Sequence, residues 1–155
     1  MLTAPASTEN GTMTDFMQAY RDRFVSLLQW SDLDAFWSTL RERANDGWYL
    51  YAIGEDVPTR PAAESQVGAF IDAIDALLRR DHRETYCAIV YTDSKTEPQF
   101  IKIYDPQRLG SSCGASGEPP LPGWILCRIP PETLTPGWPI AENRRRWWRE
   151  LWSAA

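Results

Sequence analysis

Apolar positions along this chain change their period several times, and each change marks an element. From Thr14 onward, Phe16, Tyr20, Phe24, Leu27 and Leu28 recur at helical spacing, with Arg21, Asp22 and Arg23 between them. That spacing predicts a helix with Thr14 as its N-cap. A second helix is predicted from Ser31, where the serine caps and Asp34 reaches back, with Leu33, Phe36, Trp37 and Leu40 as its apolar stripe. Asn45, Asp46 and Gly47 form its stop signal. The two segments together predict an αα-hairpin or one kinked helix. Residues 48–53 are short, aromatic and almost without polar positions, which predicts a buried strand. The clearest amphipathic helix follows over residues 62–80, with Val67, Phe70, Ile71, Ile74, Leu77 and Leu78 on one face. It ends at Arg79 and Arg80, where cations suit the helix dipole.

The period then falls to two. Residues 85–92 and 99–105 are β-rich runs joined by a six-residue link of turn-forming composition, 93–98, which predicts an antiparallel hairpin. Strand 48–53, helix 62–80 and strand 85–92 fit a right-handed parallel crossover. A long Gly/Pro-rich link, residues 106–123, separates the hairpin from a fourth strand at 124–129, which Pro130 and Pro131 end. A last helix is predicted from near Pro139 to about Trp152. The expected fold is α+β: a four-stranded mixed sheet with helices packed on it, an N-terminal helical hairpin and a C-terminal Trp/Arg-rich helix. Residues 1–13 read as a flexible tail and 14–155 as one domain.

Alternation assigns faces to the predicted strands. Cys87, Ile89, Ile101, Ile103, Ile125, Cys127 and Ile129 are expected on one covered face. Tyr86, Val90, Phe100, Lys102, Tyr104, Trp124, Leu126 and Arg128 are expected on the other, where aromatics between two cations could form a binding face. The plainer reading has the terminal helix covering that face.

Composition narrows the function classes. Of 155 residues, 43% are hydrophobic and 24% charged, the balance of a folded globular chain. The net charge of −5 argues against general nucleic-acid binding, which needs a basic surface. Eight tryptophans predict an aromatic-rich core with some rings at a groove or interface. The first ten residues lack the pattern of a signal peptide, no apolar run reaches membrane-spanning length, and the three cysteines are odd in number. These features predict a cytoplasmic protein with reduced thiols.

Candidate chemistry is sparse. Cys113 lies among Gly110, Ser111, Ser112 and Gly114, where successive backbone amides could nest an anion or lower a thiol pKa. His82, the single histidine, is the base such a thiol would need. The plainer reading makes Cys113 a small residue in a glycine-rich turn. No Gly-Lys-Ser/Thr is present and prolines follow the loop, so the usual phosphate-loop contexts are excluded. The cysteines are too far apart in sequence for a Cys-x-x-Cys metal pair, and Cys87 and Cys127 read as buried small hydrophobes. Asp93 and Asp105 end their strands, and Phe100 rather than an acid stands two residues before Lys102, so a nuclease-type acid-x-Lys pair is absent. On the terminal helix, Arg144, Trp148, Leu151 and Trp152 share a face and Arg145, Arg146 and Arg149 lie opposite, a pattern that either docks on the body or meets an acidic partner or anionic lipid.

These observations favour a small non-enzymatic binding, adaptor or accessory protein without a cofactor or metal. Its contact surface is expected on residues 105–123 and nearby aromatics: the loop residues Arg108, Gly110, Ser111, Ser112, Cys113 and Gly114, with Tyr104 and Asp105 before them and Trp124 and Arg128 after. The partner is expected to be another protein or a small ligand, and self-association is left open. The alternative is a thiol-dependent enzyme or redox-responsive protein using Cys113 and His82.

Overall fold

The computed structural model describes residues 13–109 and 120–153. Residues 1–12 of the expected 1–13 tail and the glycine-rich segment at 110–119 lie outside the described residues, Cys113 with them. Helix α1 is Asp15–Tyr20, with the Thr14 hydroxyl accepting from the Met17 amide at 3.2 Å. The chain then leaves the helix, and Val25–Ser26 forms strand β1 instead of the predicted second half of that helix. Its partner decides this. Val25 and Ser26 pair with the strand at 90–92, and the ladder continues irregularly through Leu27 and Leu28 to Val90, Ala88 and Cys87. Helical spacing in Phe24, Leu27 and Leu28 is overridden by those backbone bonds, and the apolar residues divide: Phe16, Tyr20 and Phe24 go to one side of the sheet and Leu27 to the other.

Helix α2, Trp30–Glu42, is capped at Gln29, two residues before the predicted Ser31, because Asp32 rather than Asp34 reaches back, accepting from the Gln29 amide at 3.0 Å. Asp34 instead accepts from Arg79 at 2.6 Å. Gly47 takes φ +89, a left-handed turn that glycine adopts without steric cost, and leads into strand β2, Tyr49–Ala52. Helix α3, Glu64–Asp81, buries the six apolar residues its pattern sets apart.

Strand β3 is only Val90–Thr92, shorter than predicted, because Ala88 sits at φ 59 and breaks the extended run. The hairpin to β4, Phe100–Ile103, is held by Asp93, whose carboxylate accepts from the amides of Gln99 at 2.9 Å and Phe100 at 3.2 Å. A 3-10 turn, Pro106–Arg108, follows, capped by Asp105. Strand β5 is Trp124–Cys127, and helix α4 is Glu142–Ser153, which begins three residues after Pro139.

The sheet has five strands in the order β1-β3-β4-β5-β2, every pair antiparallel. It is therefore not mixed. Strands β2 and β3 lie apart with α3 between them in sequence, and the predicted parallel crossover does not occur. The register regroups the faces. Ile103 faces Val90 and Trp124, and Ile101 faces Thr92 and Leu126, so these share one side with Leu50 and Ala52. Helices α2, α3 and α4 cover that side. Phe100 opposes Cys127, and Lys102 opposes Tyr91 and Ile125, on the other side with Tyr49 and Tyr51. There α1, Phe24 and the chain at Leu121, Ile129 and Leu134 form a second, smaller core. Three tryptophans are buried, the other five half-buried, and none of the eight is exposed.

Candidate functional site

Two hollows border the described ends of the 105–123 link, one on each side of the sheet, and Leu121 lines both. The first forms where β4, β5 and α4 converge. Arg144, 6% exposed, extends from the first turn of α4. Its Nε and Nη2 donate to the two oxygens of Asp105 at 2.9 Å each, and Nη2 also donates to Asp81 at 2.9 Å. This clasp ties the end of α3, the exit of β4 and the start of α4 together. Arg80, through its hydrogen bond, and then Arg144 hold the Asp81 carboxyl at about 2, below the usual carboxylate range. Trp147 meets Trp124 edge to face at 5.5 Å, and the Arg108 guanidinium lies 4.4 Å from the Trp138 ring centre.

This hollow brings together three of the residues the sequence singles out, Asp105, Arg108 and Trp124. Its volume is about 40 Å³, room on the scale of bound water rather than of a metabolite. Asp105 is already satisfied by Arg144 and by the Gln107 amide, and Trp124 is buried. These residues therefore hold α4 on the body.

The second hollow is on the opposite side, over β4. Its volume is about 650 Å³, within the range of about 300–1,000 Å³ common for small-ligand sites. Met17 and Tyr20 of α1, the following Arg21 and Asp22, Tyr104, and the returning chain at Pro120, Leu121 and Leu134 surround Lys102. The Lys102 ammonium lies 4.0 Å from the Tyr20 ring centre and 4.1 Å from that of Phe24. Among the described residues, no carboxylate comes within ion-pair distance of it and no hydrogen-bond acceptor is aligned with it. Burial without a counter-charge lowers the Lys102 pKa to about 8. The neighbouring phenols do not compensate. Burial, then the proximity of Tyr104, raises the Tyr20 pKa, and burial, then Tyr91, raises that of Tyr104. Tyr91 and Tyr104 pack edge to face at 5.5 Å.

The remaining sequence-singled residues are dispersed. Tyr104 borders the Lys102 hollow. Arg128 is at the far end of β5, donating to the Asp46 carbonyl at 3.0 Å. His82 is buried, with Nε2 2.9 Å from the Cys87 carbonyl and its ring against Trp30 and Tyr86. The candidates Gly110, Ser111, Ser112, Cys113 and Gly114 lie outside the described residues. Cys87 and Cys127 are fully buried, as expected of small hydrophobes, and burial pushes both thiols up, Cys127 to about 12.

The residue the sequence-based site omits is Lys102. One signal for it was present: the chain has fourteen arginines but only two lysines, Lys95 in the hairpin loop and Lys102 in mid-strand. No protein-family model matches the chain, and no curated protein and no solved structure matches it significantly. Among the described residues, no helix is long and apolar enough to cross a membrane.

Proposed function

We propose that this chain is a non-enzymatic binding or accessory protein that holds a small anionic, partly aromatic ligand in the hollow over Lys102. The observation that carries this reading is the Lys102 ammonium itself, set between two aromatic rings in a ligand-sized hollow without an anionic partner among the described residues. A half-buried cation without a counter-charge is costly to keep, and a bound anion would relieve that cost. The rings of Tyr20 and Tyr104 offer flat apolar surface to the rest of the ligand. The contact surface expected at residues 105–123 shifts accordingly. The end of that link at Pro120 and Leu121 becomes one wall of the site, and Asp105 and Trp124 serve the packing of α4 on the other side of the sheet.

The test uses 8-anilinonaphthalene-1-sulfonate, an aromatic anion whose fluorescence rises on binding. The folded protein should bind it at one site, and Lys102→Met should weaken binding by about tenfold, the effect of losing one charge-assisted contact. Thermal melting of both proteins establishes that each is folded. Equal dye affinity in two folded proteins would remove Lys102 from the site and overturn the reading.

A further inference from the structure

We infer that Lys102 is a nucleophilic amine that captures a small aldehyde or ketone bearing an anionic group, as a reversible imine. This rests on the reading of the hollow as a ligand site and names the class of ligand. Three observations converge on it. The amine lies in a hollow rather than on open surface, so a carbonyl compound can be held against it. No carboxylate pins the nitrogen as an ammonium among the described residues, and burial strips part of the hydration a charge needs. The position is also a lysine in a chain that uses arginine for almost every other cation. A guanidinium cannot give up its proton to become a nucleophile, whereas a desolvated lysine can.

The chemistry balances without an added oxidant or reductant. The ammonium first releases one proton to solvent. The free Nζ lone pair adds to the carbonyl carbon, the C=O π pair moves to oxygen, one N–H proton passes to that oxygen through solvent, and a carbinolamine forms. Loss of water, with the remaining N–H proton, breaks the C–O bond and leaves the C=N imine. Protonation of that imine restores a positive charge at the same place.

The experiment compares 4-formylbenzoate with 4-methylbenzoate, which has the same ring and carboxylate but no carbonyl. Full-length protein is incubated with 4-formylbenzoate and sodium cyanoborohydride at pH 7.5, and peptide mapping locates the secondary amine. Lys102 should be labelled about tenfold faster than the exposed Lys95. Mapping separates both from the Met1 α-amine. Lys102→Arg keeps the charge but offers no nucleophilic amine and should lose the label, with thermal melting establishing that the variant is folded. 4-Methylbenzoate should slow labelling of Lys102 and leave Lys95 unaffected. Labelling of Lys102 no faster than Lys95, while 4-methylbenzoate still displaces the dye, overturns the imine and leaves the ligand site standing. Failure of 4-methylbenzoate to displace the dye or protect Lys102 overturns the site as well.

Discussion

Replacing Lys102 by methionine should make the protein more stable at neutral pH, because the site holds a cation at a cost to the fold. Lowering the lysine pKa from 10.5 to about 8 corresponds to about 3.4 kcal/mol at 1.36 kcal/mol per pH unit. Lys102 is only half-buried, so solvent screening reduces that to about 1 kcal/mol. The ring faces of Tyr20 and Phe24 return part of the cost to the ammonium, but a methionine sulfur on the same rings gains a comparable contact. The variant should therefore be more stable by about 1 kcal/mol at pH 7, or about 2–4 °C in melting temperature for a chain of this size. The sign of the pH dependence follows from linkage. The unfolded chain keeps the lysine proton up to about 10.5, whereas the folded chain releases it above about 8, so wild-type stability rises between those values. The advantage of the variant is complete below pH 8 and fades as pH approaches 10.5. Urea unfolding of both proteins at pH 7 and pH 10 measures it, and other titrating groups cancel in the difference. A variant less stable than wild type at pH 7, or a difference that is the same at both pH values, would refute the argument.

Three further outcomes follow from the scaffold. Arg144→Met leaves Asp105 buried without its cation and should cost about 3 kcal/mol in urea unfolding, with Asp105→Asn in the same chain recovering part of the loss. Ala88→Gly should stabilise by about 1 kcal/mol, because φ 59 strains alanine and not glycine; a loss of stability on the same measurement would mean the methyl group matters more than the backbone. Gly54→Ala places a Cβ against the Ile140 side chain, at a φ of +99 that alanine rarely adopts, so its melting temperature should fall, and Ile140→Ala should restore only the steric share.

Much of the scaffold was legible in the pattern. The apolar face of α3, the 93–98 hairpin, the buried cysteines and the stripe that seats Arg144, Trp148 and Trp152 all follow from local spacing. What local spacing does not encode is pairing. Leu27 satisfies a helical period as well as a strand, and only the distant Val90 carbonyl, 2.9 Å from its amide, decides between them. Likewise, alternation ranks residues within a strand, but the register between strands decides that Ile101 shares a face with Leu126 rather than with Ile125. The ligand hollow was hidden for the same reason. Lys102 is conspicuous in composition, yet no periodicity says that Tyr20 and Phe24 from the N-terminal segment close over it.

The strand order has a consequence for synthesis. The two strands made first, β1 and β2, occupy the two edges of the sheet, and the three made last form its middle. β2 has no partner until β5 emerges, and β1 none until β3 does. The N-terminal half therefore leaves the ribosome with the backbone of β2 still unpaired along the edge that later receives β5. A chain arrested before residue 124 would carry an orphan aromatic strand and become a natural client for chaperones.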